Sequence, residues 1–245
     1  MLQNSKYFKI LNKPKNKKLR LFCFPYAGGS ASIYNAFKEL IGEEIELVAV
    51  QLPARAERMM EDPFTDMKNL TDELYQQMRS ELNVPFAFFG HSMGGSIAYD
   101  LGKKIEQFSA YAPEFIVISA TRVPHIQNQN SRHLLDDTSF IELLRKNKAS
   151  PQAVLDSQEL MEMILPTIRA DYKLVETYKT PRTSNLKSPV VIFNDEEDIK
   201  KEDALSWQDY IKSEVSYVEF SGGHFFIHSE LNKVIKEIKN LLITK

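Results

Sequence analysis

Short apolar runs alternate along the chain with stretches whose apolar residues recur every three or four positions. The runs are Leu19 to Phe24, Ile45 to Val50, Pro85 to Gly90, Phe115 to Ser119, Pro189 to Phe193 and Val215 to Phe220, rich in β-branched and aromatic side chains. Each is strand-like in length. Helical spacing is carried by Ile33, Phe37, Leu40 and Ile41, by Leu70, Leu74, Met78 and Leu82, by Ile97, Leu101 and Ile105, and by Leu231, Val234, Ile235, Ile238, Leu241 and Leu242. This βαβα order predicts an α/β protein with a mostly parallel, doubly covered sheet, and with its site in the loops at the carboxyl ends of the strands. Between Ser119 and Pro189 the rhythm changes, and the periodic segments there, around Phe140 to Leu144 and Leu160 to Tyr178, are helical. A helical insertion over approximately 125–180 is therefore expected above the site as a lid. Leu160, Met161, Met163, Ile164 and Leu165 on its second helix are candidates to line the site, methionine being a flexible filler, with simple packing within the lid the favoured reading for any one of them.

A chain of 245 residues with 43% hydrophobic residues is long enough to bury a large core, so a single domain over 1–245 is expected and disorder is excluded. The formal net charge of −2 gives no general pull towards nucleic acid or acidic membranes, and neither is an expected partner. The dense basic run Lys13, Lys15, Lys17, Lys18 and Arg20 reads as a solvated leader to the first strand. Cys23 is the only cysteine and Asn4, Ser5 and Lys6 are polar where a secretory leader would be apolar, so a cytoplasmic protein is expected. Apolar runs such as Phe115 to Ala120 fall short of the ~18 residues of a membrane span.

Gly90-His91-Ser92-Met93-Gly94 fits G-x-S-x-G directly after a strand and directly before a helix, the context of a nucleophile elbow. The glycines leave room for a sharp strand-to-helix turn that exposes the Ser92 hydroxyl. A serine needs a base, and the base an orienting acid, in the chain order Ser, acid, His. His224 follows the last strand in Ser221-Gly222-Gly223-His224 and projects from a strand end, whereas His91 lies inside the elbow and His125 and His133 come before the periodic helical segments of the lid. His224 with His228 resembles half of a metal site, but neither the glutamate nor a third ligand accompanies the pair, so no metal is expected. The acid belongs to Asn194-Asp195-Glu196-Glu197-Asp198, where spacing leaves both Asp198 and Asp195 open. Two main-chain N–H groups should hold an oxyanion, one from Met93 and one from the turn Phe24-Pro25-Tyr26-Ala27-Gly28-Gly29-Ser30. A phosphate loop in that turn is disfavoured because it lacks the lysine and its Ser/Thr partner.

Together these motifs resemble the type II, free-standing thioesterases of nonribosomal peptide and polyketide synthetases, within the α/β-hydrolase superfamily. The resemblance spans nearly the whole chain. It rests on Phe24 to Ser30, on Leu52-Pro53-Ala54-Arg55-Ala56-Glu57-Arg58, on Gly90 to Gly95, on Leu165-Pro166-Thr167-Ile168-Arg169-Ala170-Asp171-Tyr172 and on Gly222-Gly223-His224-Phe225-Phe226. The last two segments are more specific than the elbow, which general esterases share. Ala54 and Asn194 stand where the family usually carries glycine. The resemblance implies a triad of Ser92, Asp198 and His224, with Ala27 and Met93 as oxyanion donors. It further implies hydrolysis of acyl or aminoacyl thioesters on the phosphopantetheine arm of peptidyl or acyl carrier proteins, which edits misprimed or stalled modules. No bound cofactor is implied, and a monomer is expected. The alternatives are a chain-releasing carrier-protein thioesterase, a general carboxylesterase and a non-catalytic carrier-binding module.

Overall fold

Side chains of the buried strands are apolar in both directions, so helices must cover the sheet on each face, and they do. The computed structural model describes residues 5–127, 129–147, 156–183 and 185–243. Seven strands form one sheet: β1 (Phe8–Ile10), β2 (Leu19–Phe24), β3 (Ile45–Val50), β4 (Phe86–His91), β5 (Ile116–Ser119), β6 (Val190–Asn194) and β7 (Val215–Glu219), in the order β1-β3-β2-β4-β5-β6-β7. All neighbours are parallel except β1, which runs antiparallel to β3 in the register Phe8 opposite Val50. The six expected strands are thus present within a residue or so, and β1 is an addition. Three residues are too few to carry a readable alternation.

The pleat sorts β2 between two cores. Phe22 and Phe24 join one cluster with Met67, Leu70, Leu74, Ile97 and Leu101 from helices α1 (Met67–Met78) and α2 (Met93–Phe108). Leu21 and Cys23 join the opposite cluster with Tyr34, Phe37, Val234, Ile235 and Ile238, the last three from α5 (Leu231–Ile243). The periodic stretch around Ile33 to Ile41 forms a 3₁₀ turn over Ala31–Tyr34 and one α-helical turn over Asn35–Lys38 rather than a longer helix. The basic leader lies along β3: Lys17 pairs with Glu46, Lys18 with Glu44, and the Lys15 main chain donates to Glu43.

Between β5 and β6 the described segments are helical, chiefly α3 (Asp137–Lys146) and α4 (Gln158–Glu176). They share a third cluster of Phe140, Leu144, Met161, Leu165 and Ile168. Arg169 ties the preceding loop to α4 by donating to the carbonyls of His133 and Leu135 and to Asp137. No helix among the described residues is long and apolar enough to cross a membrane.

Candidate active site

Ser92 lies between the end of β4 and the first turn of α2 with φ 55° and ψ −118°, a conformation that a side chain other than glycine's rarely adopts. Its surroundings hold it there. The Ser92 N–H donates to the Ser119 carbonyl at 2.8 Å, and the Ser92 carbonyl accepts from Gly95 N–H and from Thr121 Oγ1, both at 2.9 Å. The flanking glycines are required by contact: a Cβ on Gly90 would lie 2.0 Å from the Gly94 carbonyl oxygen, and one on Gly94 2.1 Å from that of Phe24.

His224 sits in the turn after β7, whose Gly222 and Gly223 have φ 115° and 71°. Its Nε2 lies 3.0 Å from Ser92 Oγ and its Nδ1 2.6 Å from Asp198 Oδ2. The carboxylate only accepts, so Nδ1 carries the proton and Nε2 is left to accept from the serine. Burial pushes the Asp198 carboxyl up, but hydrogen bonding and charge from His224, together with Arg122, outweigh it and hold the group below its ordinary value. Asp195 turns elsewhere: its Oδ2 accepts from Gly223 N–H at 2.6 Å and its carbonyl accepts from the N–H groups of Asp198 and Ile199, each at 3.0 Å. Asp195 therefore shapes both loops, and Asp198 is the carboxylate that meets the imidazole. Asn194, in the place of a glycine, bridges the same loop by donating from Nδ2 to the Ile199 carbonyl at 2.8 Å.

Spacing did not single out two further residues. Arg122, at the β5 exit, donates to the Asp198 carbonyl at 2.6 Å. His91 is buried, with Nδ1 2.8 Å from Ser119 Oγ and Nε2 2.8 Å from the His224 carbonyl. Since a carbonyl only accepts, Nε2 donates and supports the main chain of His224. Burial pushes the His91 imidazole well below its ordinary value, and nearby His224 adds to this. Its position next to Ser92 in the motif was the only available signal. The other histidines are occupied elsewhere: His228 with Tyr26, His125 with Tyr210 and His133 with Glu176. No group of three or more metal-type ligands occurs among the described residues.

A cavity of about 270 Å³ opens over Ser92, walled by Tyr26 and Ala27 after β2, Met93 at the elbow, Arg122 after β5, and Ile168, Asp171, Tyr172 and Val175 of α4. In the β2 turn the N–H of Gly28 is taken by Asp171 and that of Gly29 by the Tyr26 carbonyl. Ala27 precedes both and borders the cavity together with Met93. None of Leu160, Met161, Met163, Ile164 and Leu165 borders this cavity, and Met161, Ile164 and Leu165 pack within the inserted segment, the favoured of the two readings. Leu160 and Met163 are 42% and 49% exposed, while Met161 and Leu165 line a separate hollow between α3 and α4. The cavity-facing stripe begins beyond Pro166, at Ile168 and its helical neighbours three, four and seven positions on. Ala54, in the place of a glycine, takes φ 63° and is held by the Arg58 carbonyl and by Thr167 Oγ1, so the left-handed turn persists with an alanine.

The family model for the thioesterase domain matches residues 19–242. The chain is 33% identical over 237 residues, 96% of its length and 93% of the relative's, to the gramicidin S biosynthesis protein GrsT of Aneurinibacillus migulanus. Its fold superposes with a TM-score of 0.87 on the type II thioesterase BorB from the borrelidin biosynthetic cluster, at 28% identity and covering 96% and 97% of the two chains. The thioesterase RedJ from the prodiginine pathway of Streptomyces coelicolor gives 0.86, at 28% identity and covering 94% of this chain and 88% of that one. A serine elbow on a parallel sheet, a histidine in line with it and these likenesses lead to one assignment: the chain belongs to the thioesterase domain family, with an α/β-hydrolase fold.

Proposed function

We propose that this thioesterase hydrolyses acyl and aminoacyl thioesters held on the phosphopantetheine arm of carrier-protein domains, and so clears misprimed or stalled synthetase modules. The observation that carries the reading is the line Ser92 Oγ, His224 Nε2, His224 Nδ1, Asp198 Oδ2, with spacings of 3.0 and 2.6 Å, beneath a small cavity in a chain related to biosynthetic thioesterases. Ser92 Oγ attacks the thioester carbonyl carbon while its proton passes to His224 Nε2. The N–H groups of Ala27 and Met93 hold the resulting oxyanion, each donor contributing about 10²–10³ in rate. The C–S bond then breaks, and the pantetheine sulfur leaves with the proton from His224. Because a thiolate is a good leaving group, positioning and oxyanion support matter more here than protonation. Water, deprotonated by His224, cleaves the acyl-Ser92 ester by the same route in reverse. No resident metal or cofactor enters these steps. The inserted α3 and α4 act as a lid over this chamber, and the carrier domain brings the arm.

Intact-mass spectrometry of carrier domains loaded with acetyl, aminoacyl or longer acyl groups tests this reading. The enzyme should strip the short groups, and Ser92→Ala, correctly folded, should leave them in place. Carriers that stay loaded while simple oxygen esters are cleaved would identify a general carboxylesterase instead.

A further inference from the structure

The turn that carries Ala27 is held in place by a residue of the inserted segment. Asp171 on α4 and Arg55 after β3 form a bidentate ion pair, Nη1 to Oδ2 at 2.8 Å and Nη2 to Oδ1 at 2.9 Å, across 116 positions of sequence. Their side chains are only 3% and 7% exposed. The pair grips Gly28 from both sides: Asp171 Oδ2 accepts the Gly28 N–H at 2.7 Å, and Arg55 Nη1 donates to the Gly29 carbonyl at 3.2 Å. Gly28 has φ 75°, and a Cβ there would lie 3.1 Å from Ile168 Cγ1, so α4 also packs directly on the turn. One residue earlier on α4, Thr167 clamps the Ala54 carbonyl at 2.9 Å.

We infer that Asp171 and Arg55 are positioning residues for the oxyanion donor: by fixing the Gly28 N–H and the Gly29 carbonyl they hold the turn, closed by Gly29 N–H on the Tyr26 carbonyl, that presents the N–H of the Tyr26–Ala27 peptide to the cavity, and they do so only while α4 is docked. The charges have a second consequence. Asp171 borders the cavity, where a lone carboxylate would oppose the developing oxyanion, and Arg55 neutralises it without itself approaching the substrate. The inserted segment therefore completes the catalytic constellation as well as covering it. Motion that frees the half of α4 beyond Pro166 would dismantle the oxyanion site, whereas motion confined to α3 and the first turns of α4 would not.

The inference rests on the reading of Ser92 and Ala27 given above, and the test separates the two. The probe is an alkyl trifluoromethyl ketone. Ser92 Oγ adds to its carbonyl carbon, the proton passes to His224, and the carbonyl oxygen becomes an oxyanion in the position of the transition state's. In Asp171→Asn, which keeps an acceptor for Gly28 N–H but loses the charge and half of the ion pair, kcat should fall by about ten- to a hundredfold, below the loss of a whole donor. KM should stay within about threefold, ketone affinity should fall in parallel with kcat, and the ¹⁹F resonance of the bound ketone should move. Arg55→Lys should behave similarly, and it decides the matter if Asp171→Asn does not fold. A folded variant with kcat and ketone affinity near wild type, or a loss confined to KM, would overturn the positioning role. Wild-type ketone affinity that Ser92→Ala leaves unchanged would overturn the underlying reading and this inference with it.

Discussion

Asp195 and Asp198 stand on one short loop after β6, and their oxygens have different partners. Asp198 Oδ2 meets His224 Nδ1, whereas Asp195 Oδ2 meets the Gly223 N–H. Asp198→Asn should lower the single-turnover rate by about 10³–10⁴ because the wrong histidine tautomer is favoured. Asp195→Asn keeps a carbonyl acceptor and should cost about tenfold or less, chiefly by loosening the His224 turn; the reverse ranking would move the orienting acid to Asp195. His91 lends itself to an equilibrium test. Its folded value lies well below the ordinary 6.5, so in that interval the unfolded chain binds a proton that the folded chain excludes. Its contribution to stability is full above about pH 6.5 and is lost as pH falls from there towards the depressed folded value, by at most about 1.4 kcal/mol per pH unit. Urea unfolding between pH 8 and pH 5 should therefore show a shallower decline for His91→Gln than for the wild type.

Helix α4 presents different faces to different neighbours. Met161 and Leu165 pack with Phe140 and Leu144, Ile168 belongs to that cluster and also borders the cavity, and Val175 reaches the cavity from the main core. Val175→Phe should depress hydrolysis of octanoyl relative to acetyl groups by about tenfold or more, and Met163→Phe, on the exposed face, should leave that ratio unchanged. Competition assays with mixed acyl carriers read it directly. The elbow and the histidine turn make a second contrast between elements. Gly94→Ala drives a Cβ into the Phe24 carbonyl, and with main chain on both sides it should cost about 3 kcal/mol. Gly223→Ala meets nothing within 4 Å but keeps a φ of 71°, so only the left-handed penalty of about 1–2 kcal/mol remains. Denaturant midpoints separate the two.

At the scale of the whole molecule, two large clusters sandwich the sheet and the cluster between α3 and α4 stands apart from both. With that small core of their own, α3 and the first half of α4 should open at lower free energy than the sheet, whereas Leu174 and Val175 anchor the end of α4 in the main core. Phe140 is fully buried in that small core and packs edge-on against Tyr172 at 5.1 Å. Phe140→Ala should remove about 3–5 kcal/mol from the segment. In hydrogen exchange, amides of α3 and the first turns of α4 should lose protection while those of β4 and β5 keep theirs. Equal loss throughout would mean that insertion and sheet unfold as one unit.

Local pattern alone carried much of this molecule. Six strands, the helices flanking the elbow, Ser92 in a G-x-S-x-G turn and His224 in a glycine-rich loop are all legible because each depends on neighbours a few positions away: burial period, glycine spacing, strand-to-helix order. The acid was legible only as a loop. Asp198 and Asp195 have the same chemistry, and what separates them is a turn built from the Asp195 carbonyl to the N–H groups of Asp198 and Ile199, together with the distant histidine that this turn lets Asp198 reach. Tertiary structure alone decided the β1 edge, the face of α4 that meets the cavity, Arg122 behind Asp198 and the Arg55–Asp171 pair. Apolar periodicity records that a face is buried but not what covers it, and a hydrogen bond between residues 116 positions apart leaves no trace in spacing. Those contacts exist only once the sheet has brought the ends of β2, β3 and β4 together beneath the inserted helices.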